Sequence, residues 1–192
     1  MFLIDIKAIQ KGDRQAFEQL VKKTHDSVFR LLYRFVQNKD DAEDLIQEVY
    51  LEVYKSIQKF KGKSSINTWI YRIGVNKALN FLKKEKKHKG NLSIIQGGED
   101  EDRQEIQVEA DRSSEAGFKL ENRELSVVLN QAMNRLPERQ RSAFILHNHE
   151  GQSYQDIADI LNTSLSSVES LIFRARANLK KDLSEFYKKN YK

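Results

Sequence analysis

The sequence predicts an all-α fold of two small helical domains joined by a flexible acidic linker, and three observations carry that prediction. A single proline and eight glycines in 192 residues leave long helix-favouring stretches, and alternating strand patterns are hard to find. Apolar residues recur at three- and four-residue spacing over two long blocks. Between the blocks runs GNLSIIQGGEDEDRQEIQVEADRSSEAG, rich in Gly, Ser and acidic residues and without sustained periodicity. The expected division is residues 1–89 for a first domain, 90–119 for the linker and 120–192 for a second domain, a size range that suits one or two ordinary cores.

Composition excludes several classes. There is no cysteine, so a disulfide framework, a thiolate metal site and a cysteine nucleophile are all ruled out, and a reducing compartment, the cytoplasm, is expected. The first residues, MFLIDIKAIQKGDRQ, carry no basic segment ahead of their apolar ones. No apolar run approaches the roughly 18 residues of a membrane span, so a soluble, unprocessed protein is expected. The net charge of +5 is modest, but its distribution is uneven. Residues 1–54 hold 8 basic and 10 acidic side chains, residues 55–89 hold 11 and 1, residues 90–124 hold 4 and 10, and residues 125–192 hold 10 and 7. A strongly basic segment followed at once by an acidic one suggests a polyanion-binding surface beside an acidic tether.

In the first domain, Phe17, Leu20, Val21, Val28, Leu31, Leu32 and Phe35 mark one or two amphipathic helices after Asp13. Ala42, Leu45, Ile46, Val49, Val53 and Ile57 fall at i, i+3, i+4, i+7, i+11 and i+15, one stripe of a further helix that Asp40 or Asp41 can cap. Beside that stripe, Asp44, Gln47 and Glu48 form a polar patch, which is either a solvated face or a docking site for a basic helical partner. The segment from Phe60 to Asn67 breaks the pattern with Gly62 and paired serines and reads as a loop. From Thr68 a third helix carries Trp69, Ile70, Ile73, Leu79 and Leu82.

On that third helix Arg72, Asn76, Asn80, Lys83 and Lys87 recur at about one-turn intervals, next to a loop holding Phe60, Lys61, Lys63 and Asn67. Cations for a backbone, amides for a base edge and rings for stacking together suit single-stranded nucleic acid. Trp69 and Tyr71 are more often core residues than exposed wedges.

In the second domain Pro137 separates a helix ending near Leu136 from one starting at Glu138. Tyr154, Ile157, Ala158 and Leu161 form the face of a short helix, Asn162-Thr163-Ser164 a turn, and Val168, Leu171, Ile172, Ala175 and Leu179 the face of a second helix. This is helix-turn-helix spacing. With Ser166 as N-cap, Glu169 falls at the third helical position and completes a capping box. Ser167, Ser170 and Arg174 then share a face away from the core, with Ser166 at its start and Arg176 and Lys180 further along. That face is either solvated surface or a reader of a major groove, its hydroxyls near base edges, Arg174 on a base or phosphate, and Lys180 on a phosphate.

Catalysis finds no support. Of four histidines only His147 and His149 lie close together, and spacing of two on a helix points them to different sides, so no metal, cofactor or catalytic residue is expected. A plain helix-turn-helix regulator would need a ligand or dimer domain where residues 41–87 place an acidic patch followed by a basic, aromatic helix. An adaptor would not need two basic surfaces.

The motifs D41-A-E-D-L-I-Q-E-V-Y50, F60-K-G-K-S-S-I-N-T-W-I-Y-R-I-G-V-N76, L136-P-E-R-Q-R141, G151-Q-S-Y-Q-D-I-A-D-I-L161 and V168-E-S-L-I-F-R-A-R176, in this order, resemble regions two and four of the extracytoplasmic-function sigma factors, over nearly the whole chain outside the linker. The resemblance implies two helical domains, sigma-2 and sigma-4, and a factor that binds core RNA polymerase and directs promoter-specific initiation in response to an envelope or environmental stress signal. Its partners are then the β′ coiled coil and β subunit of the polymerase, promoter DNA and an anti-sigma factor. By the same resemblance Asp44, Gln47 and Glu48 match the β′-docking surface. Phe60 to Asn67 and Asn76 match the pocket for a base flipped from the minus-ten element, and the helix Ser166 to Arg176 matches the reader of the minus-thirty-five element. The chain departs from the pattern at Glu169 and Leu171, where many relatives are basic, and at Ser164 and Ser166, where Pro and Gly are frequent. Glu169 either serves the capping box or accepts from a cytosine amino group.

Overall fold

The computed structural model describes the backbone of residues 4–96 and 116–190 and, in most of this range, the side chains of residues 4–88 and 126–184. The described residues form helices and turns with no strand among them. Helices α1 (Ile6–Gln10), α2 (Arg14–Val36), α3 (Lys39–Ser56) and α4 (Ile66–Gln96) make the first domain. Helices α5 (Ala116–Arg135), α6 (Glu138–Phe144), α7 (Tyr154–Leu161) and α8 (Leu165–Asn190) make the second, and α6 continues into one π-helical turn, Ile145–His149.

The first core is an α2–α3–α4 bundle in which Leu20, Val28, Leu31, Leu32 and Phe35 meet Ala42, Val49 and Val53 and then Ile70, Val75 and Ala78, all essentially without solvent exposure. Each fully buried aliphatic side chain contributes about 1.5–3 kcal/mol. The stripe from Ala42 to Ile57 is core along its whole length. In the second domain α6 and α7 pack on α8, burying Ala143, Ile145, Leu146, Ile157 and Ile160 against Val168, Ile172, Ala175 and Leu179. Leu171 stays only half-buried.

Helix starts differ from expectation in three places. Asn38, not Asp40 or Asp41, caps α3: its Oδ1 accepts from the Asp41 amide at 3.0 Å. Gln37 takes a left-handed conformation that ends α2 and swings the chain extended at Asn38, so the asparagine is the residue with the backbone a cap requires. The two aspartates instead lie in the first turn, where the helix dipole favours them. Helix α4 starts two residues before Thr68, and Ser65 Oγ accepts from the Thr68 amide at 3.0 Å. Helix α8 starts at Leu165, with Ser164 rather than Ser166 as the cap; its Oγ accepts from the Ser167 amide at 3.2 Å. The capping box from Ser166 to Glu169 is therefore not formed, and Glu169 is exposed.

The linker expected at 90–119 falls largely on residues 97–115, outside the described residues. Its first residues instead continue α4 to Gln96 and its last open α5 at Ala116. Gly90 alone does not stop α4, because one glycine inside a helix costs only about 1 kcal/mol and no proline follows. The short α1, capped by Asp5, carried no periodic signal long enough to announce it.

The two domains touch. Helix α7 lies along α4, and the π-helical turn meets α2.

Candidate nucleic-acid interface

On α3, the residues facing away from the core are Asp44, Gln47 and Glu48, all exposed. Glu48 is already engaged, its Oε2 2.9 Å from Lys77 Nζ on α4. The same outer stripe continues into Leu51 and Tyr54, each 59% exposed, with the Tyr54 ring edge-on to Phe17 at 5.2 Å. This is an acidic surface with an apolar end. Sequence reasoning missed the two apolar residues; the signal was their place off the core stripe, at i+3 and i+6 from Glu48.

The loop before α4 turns at Gly62, whose φ of +68° is open to glycine at no steric cost. It leaves Lys61, Lys63 and Asn67 in solvent and folds Phe60 back on Trp69, ring centroids 5.2 Å apart. Trp69 is half-buried, while Tyr71 is core, 5% exposed. Along α4, Asn76, Asn80 and Lys83 are exposed and one turn apart. Arg72, expected beside them, turns instead toward the second domain, where its guanidinium donates to the Asp159 carbonyl, from Nε at 2.8 Å and also from Nη2. Phe60, Lys61, Lys63, Asn67, Asn76, Asn80 and Lys83 thus form a basic, amide-bearing face with an aromatic edge, and Arg72 leaves it.

On α8 the burial of Val168, Ile172, Ala175 and Leu179 turns the opposite side outward. Ser166, Ser170, Arg174, Arg176 and Lys180 are exposed. Ser167 is half-buried and hydrogen-bonded to Ser164 at 2.9 Å, so it supports the turn more than it faces solvent. In the middle of the outward side stands Phe173, 75% exposed, and Glu169, Ser170, Phe173 and Arg174 line a shallow depression. The sequence reading passed over Phe173 because it falls outside the period of the core stripe. His147 and His149 face different neighbours: His147 lies edge-on to Tyr154 at 4.9 Å and His149 to Phe144 at 6.1 Å.

The arrangement has close parallels. The sigma-70 region 2 model matches residues 20–88, and the sigma-70 region 4 model matches residues 126–179. The sigma-E factor of Haemophilus influenzae, an ECF RNA polymerase sigma factor, is 34% identical over 171 residues, 89% of each chain. The chain belongs to the extracytoplasmic-function sigma-70 family. The sigma-E factor of Escherichia coli K12 is 32% identical over 180 residues, and the sigma-H factor of Pseudomonas aeruginosa is 31% identical over 178. Two solved structures share the fold. CnrH in complex with the cytosolic domain of CnrY gives a TM-score of 0.63 at 21% identity, covering 94% of this chain and 95% of that one. RpoE in complex with the anti-sigma factor NepR from Bartonella quintana gives 0.64 at 22%, covering 88% and 96%. The sigma factor described here directs promoter-specific transcription initiation, and its family is not a catalytic one.

Proposed function

We propose that this sigma factor divides initiation among three helices. The outer face of α3, Asp44, Gln47 and Glu48 with Leu51, docks core RNA polymerase at its β′ coiled coil. The loop from Phe60 to Asn67, with Asn76, Asn80 and Lys83 of α4, takes the minus-ten element as a melted strand. The outer face of α8, Ser166, Ser170, Phe173, Arg174 and Lys180, reads the minus-thirty-five element in the major groove.

The observation that carries this reading is the separation of an acidic, partly apolar face on α3 from basic, amide-bearing faces on α4 and α8, each opposite a fully buried stripe. Only DNA and a basic partner together use all three. Unstacking a base costs a few kcal/mol, and stacking on an aromatic ring returns about 1–3 kcal/mol per base. Holding a melted strand therefore needs no bond chemistry, and the factor works without catalytic residues, metal or cofactor. It works in the cytoplasm, where its polymerase is, responds to an envelope or environmental stress signal, and is restrained by an anti-sigma factor; the resemblance to relatives and to sigma factors solved with such inhibitors supports these assignments.

The test is affinity for purified core polymerase, measured by fluorescence anisotropy of labelled sigma. Asp44→Ala with Glu48→Ala is expected to weaken binding by at least about tenfold while leaving duplex DNA binding by α8 unchanged. Equal affinity of variant and wild type would remove α3 from the docking role.

A further inference from the structure

Glu169 is the one acidic side chain among residues 165–181, a stretch that also carries Arg174, Arg176, Lys180 and Lys181. Its spacing fits a capping box, but Ser164 holds that turn alone. The Ser164 Oγ accepts from the Ser167 amide at 3.2 Å and the Ser164 carbonyl from the Val168 amide at 3.1 Å. Ser166 Oγ lies 3.1 Å from Ser164 Oγ and so joins the turn rather than Glu169. Among the described residues Glu169 makes no hydrogen bond and no ion pair, and it is exposed. The carboxylate has no structural use where it stands.

Its position is set by the core side of α8. With Val168 and Ile172 buried, Ser166, Ser170 and Arg174 form one exposed row and Glu169 and Phe173 the next, each at four-residue spacing. The two rows meet at the shallow depression lined by Glu169, Ser170, Phe173 and Arg174. We propose that Glu169 is a specificity-determining residue of this face, selecting a cytosine in the minus-thirty-five element by accepting a hydrogen bond from its N4 amino group. The inference rests on the proposed role of α8 and adds the base that one of its residues reads.

An ionised carboxylate can only accept hydrogen bonds. In the major groove guanine presents two acceptors and thymine one, while adenine sets its N7 acceptor beside its amino donor. Cytosine offers a donor and no acceptor of its own. Phosphates repel a carboxylate, so Glu169 meets the duplex over the base edges, and the neighbouring cations take the phosphate contacts. Over cytosine it gains a charge-assisted bond. Over guanine or thymine two sets of acceptors face each other with their water displaced, which rejects the wrong base. Arg174 lines the same depression with the opposite polarity, its donors fitting guanine O6 and N7.

The experiment uses holoenzyme reconstituted from the full chain and purified core polymerase, with a promoter recovered by run-off transcription. Every base pair of its minus-thirty-five block is varied in turn, and the transcript yield of each template is read by sequencing. Wild type is expected to favour a C·G pair in one orientation at one position, by about tenfold. Glu169→Gln is expected to move the preference at that position alone to adenine, whose N6 and N7 match a glutamine amide, and Glu169→Ala to leave that position without preference. Melting temperatures equal to wild type show that both variants fold. A solvated Glu169 would behave differently: removing its charge would raise yield on all templates and leave the ranking of bases unchanged at every position, which overturns the proposal while the α8 reading stands. A wild type indifferent to the whole block, with Arg174→Ala its equal, would instead overturn the α8 reading and this proposal with it.

Discussion

Thr24 and Tyr50 show how a single buried polar pair is satisfied inside the sigma-2 core. Thr24 Oγ1 donates to the Leu20 carbonyl at 2.8 Å, and the Tyr50 hydroxyl lies 2.7 Å from Thr24 Oγ1. Burial raises the Tyr50 pKa from 10.0 to about 12. Because the folded state favours the protonated phenol, this contribution is whole below pH 10 and is lost as pH rises toward 12. Tyr50→Phe is expected to cost about 1 kcal/mol at neutral pH, read by urea denaturation, and to make the fall in stability between pH 10 and 12 shallower than in wild type. At the proposed minus-thirty-five face, Arg174→Ala is expected to cost about 1–3 kcal/mol of discrimination in duplex binding, measured by competition against mutated sites. The residue-level signals were legible where a side chain had one use. Ala42 to Ile57 could only be core, whereas Trp69, half-buried on Phe60, combines the two roles that spacing left open.

Helix boundaries turn on which of several candidate side chains has the right backbone, and that depends on the preceding turn. In Asn162-Thr163-Ser164-Leu165-Ser166-Ser167 three serines compete. Asn162 is left-handed at φ 49°, which places Ser164, two residues on, at the cap. Ser164→Ala is accordingly expected to destabilise the sigma-4 domain by about 1 kcal/mol, while Ser166→Ala leaves its melting temperature nearly unchanged; equal effects would restore the cap to Ser166. Helix α4 offers a second case. A Cβ on Gly74 would lie 3.7 Å from Leu31 Cδ2 and 3.8 Å from Leu32 Cδ2, ordinary contact distances. Gly74→Ala is therefore expected to stabilise the sigma-2 domain, by up to about 1 kcal/mol, in a thermal or urea melt. The helix-turn-helix itself was readable because α7 and α8 each bury one clean stripe. Phe173 and Leu51 were not, since an exposed apolar residue outside the period carries no sign of what covers it.

At the scale of the whole molecule, the charge blocks anticipated where the basic surfaces lie, and motif order anticipated the family. The domain interface was beyond reach: Arg72 and Asp159, or Tyr71 and Glu150, are about eighty residues or more apart in sequence, and no periodicity links such positions. Nor does spacing reveal that Arg72, in the basic row of α4, is engaged by its own chain. The most direct measurement of the central claim is run-off transcription with purified core polymerase and fragmented genomic DNA. The account predicts discrete start sites with wild type that disappear with Asp44→Ala and Glu48→Ala together and weaken with Arg174→Ala; tight duplex DNA binding without specific initiation by any core enzyme would contradict it.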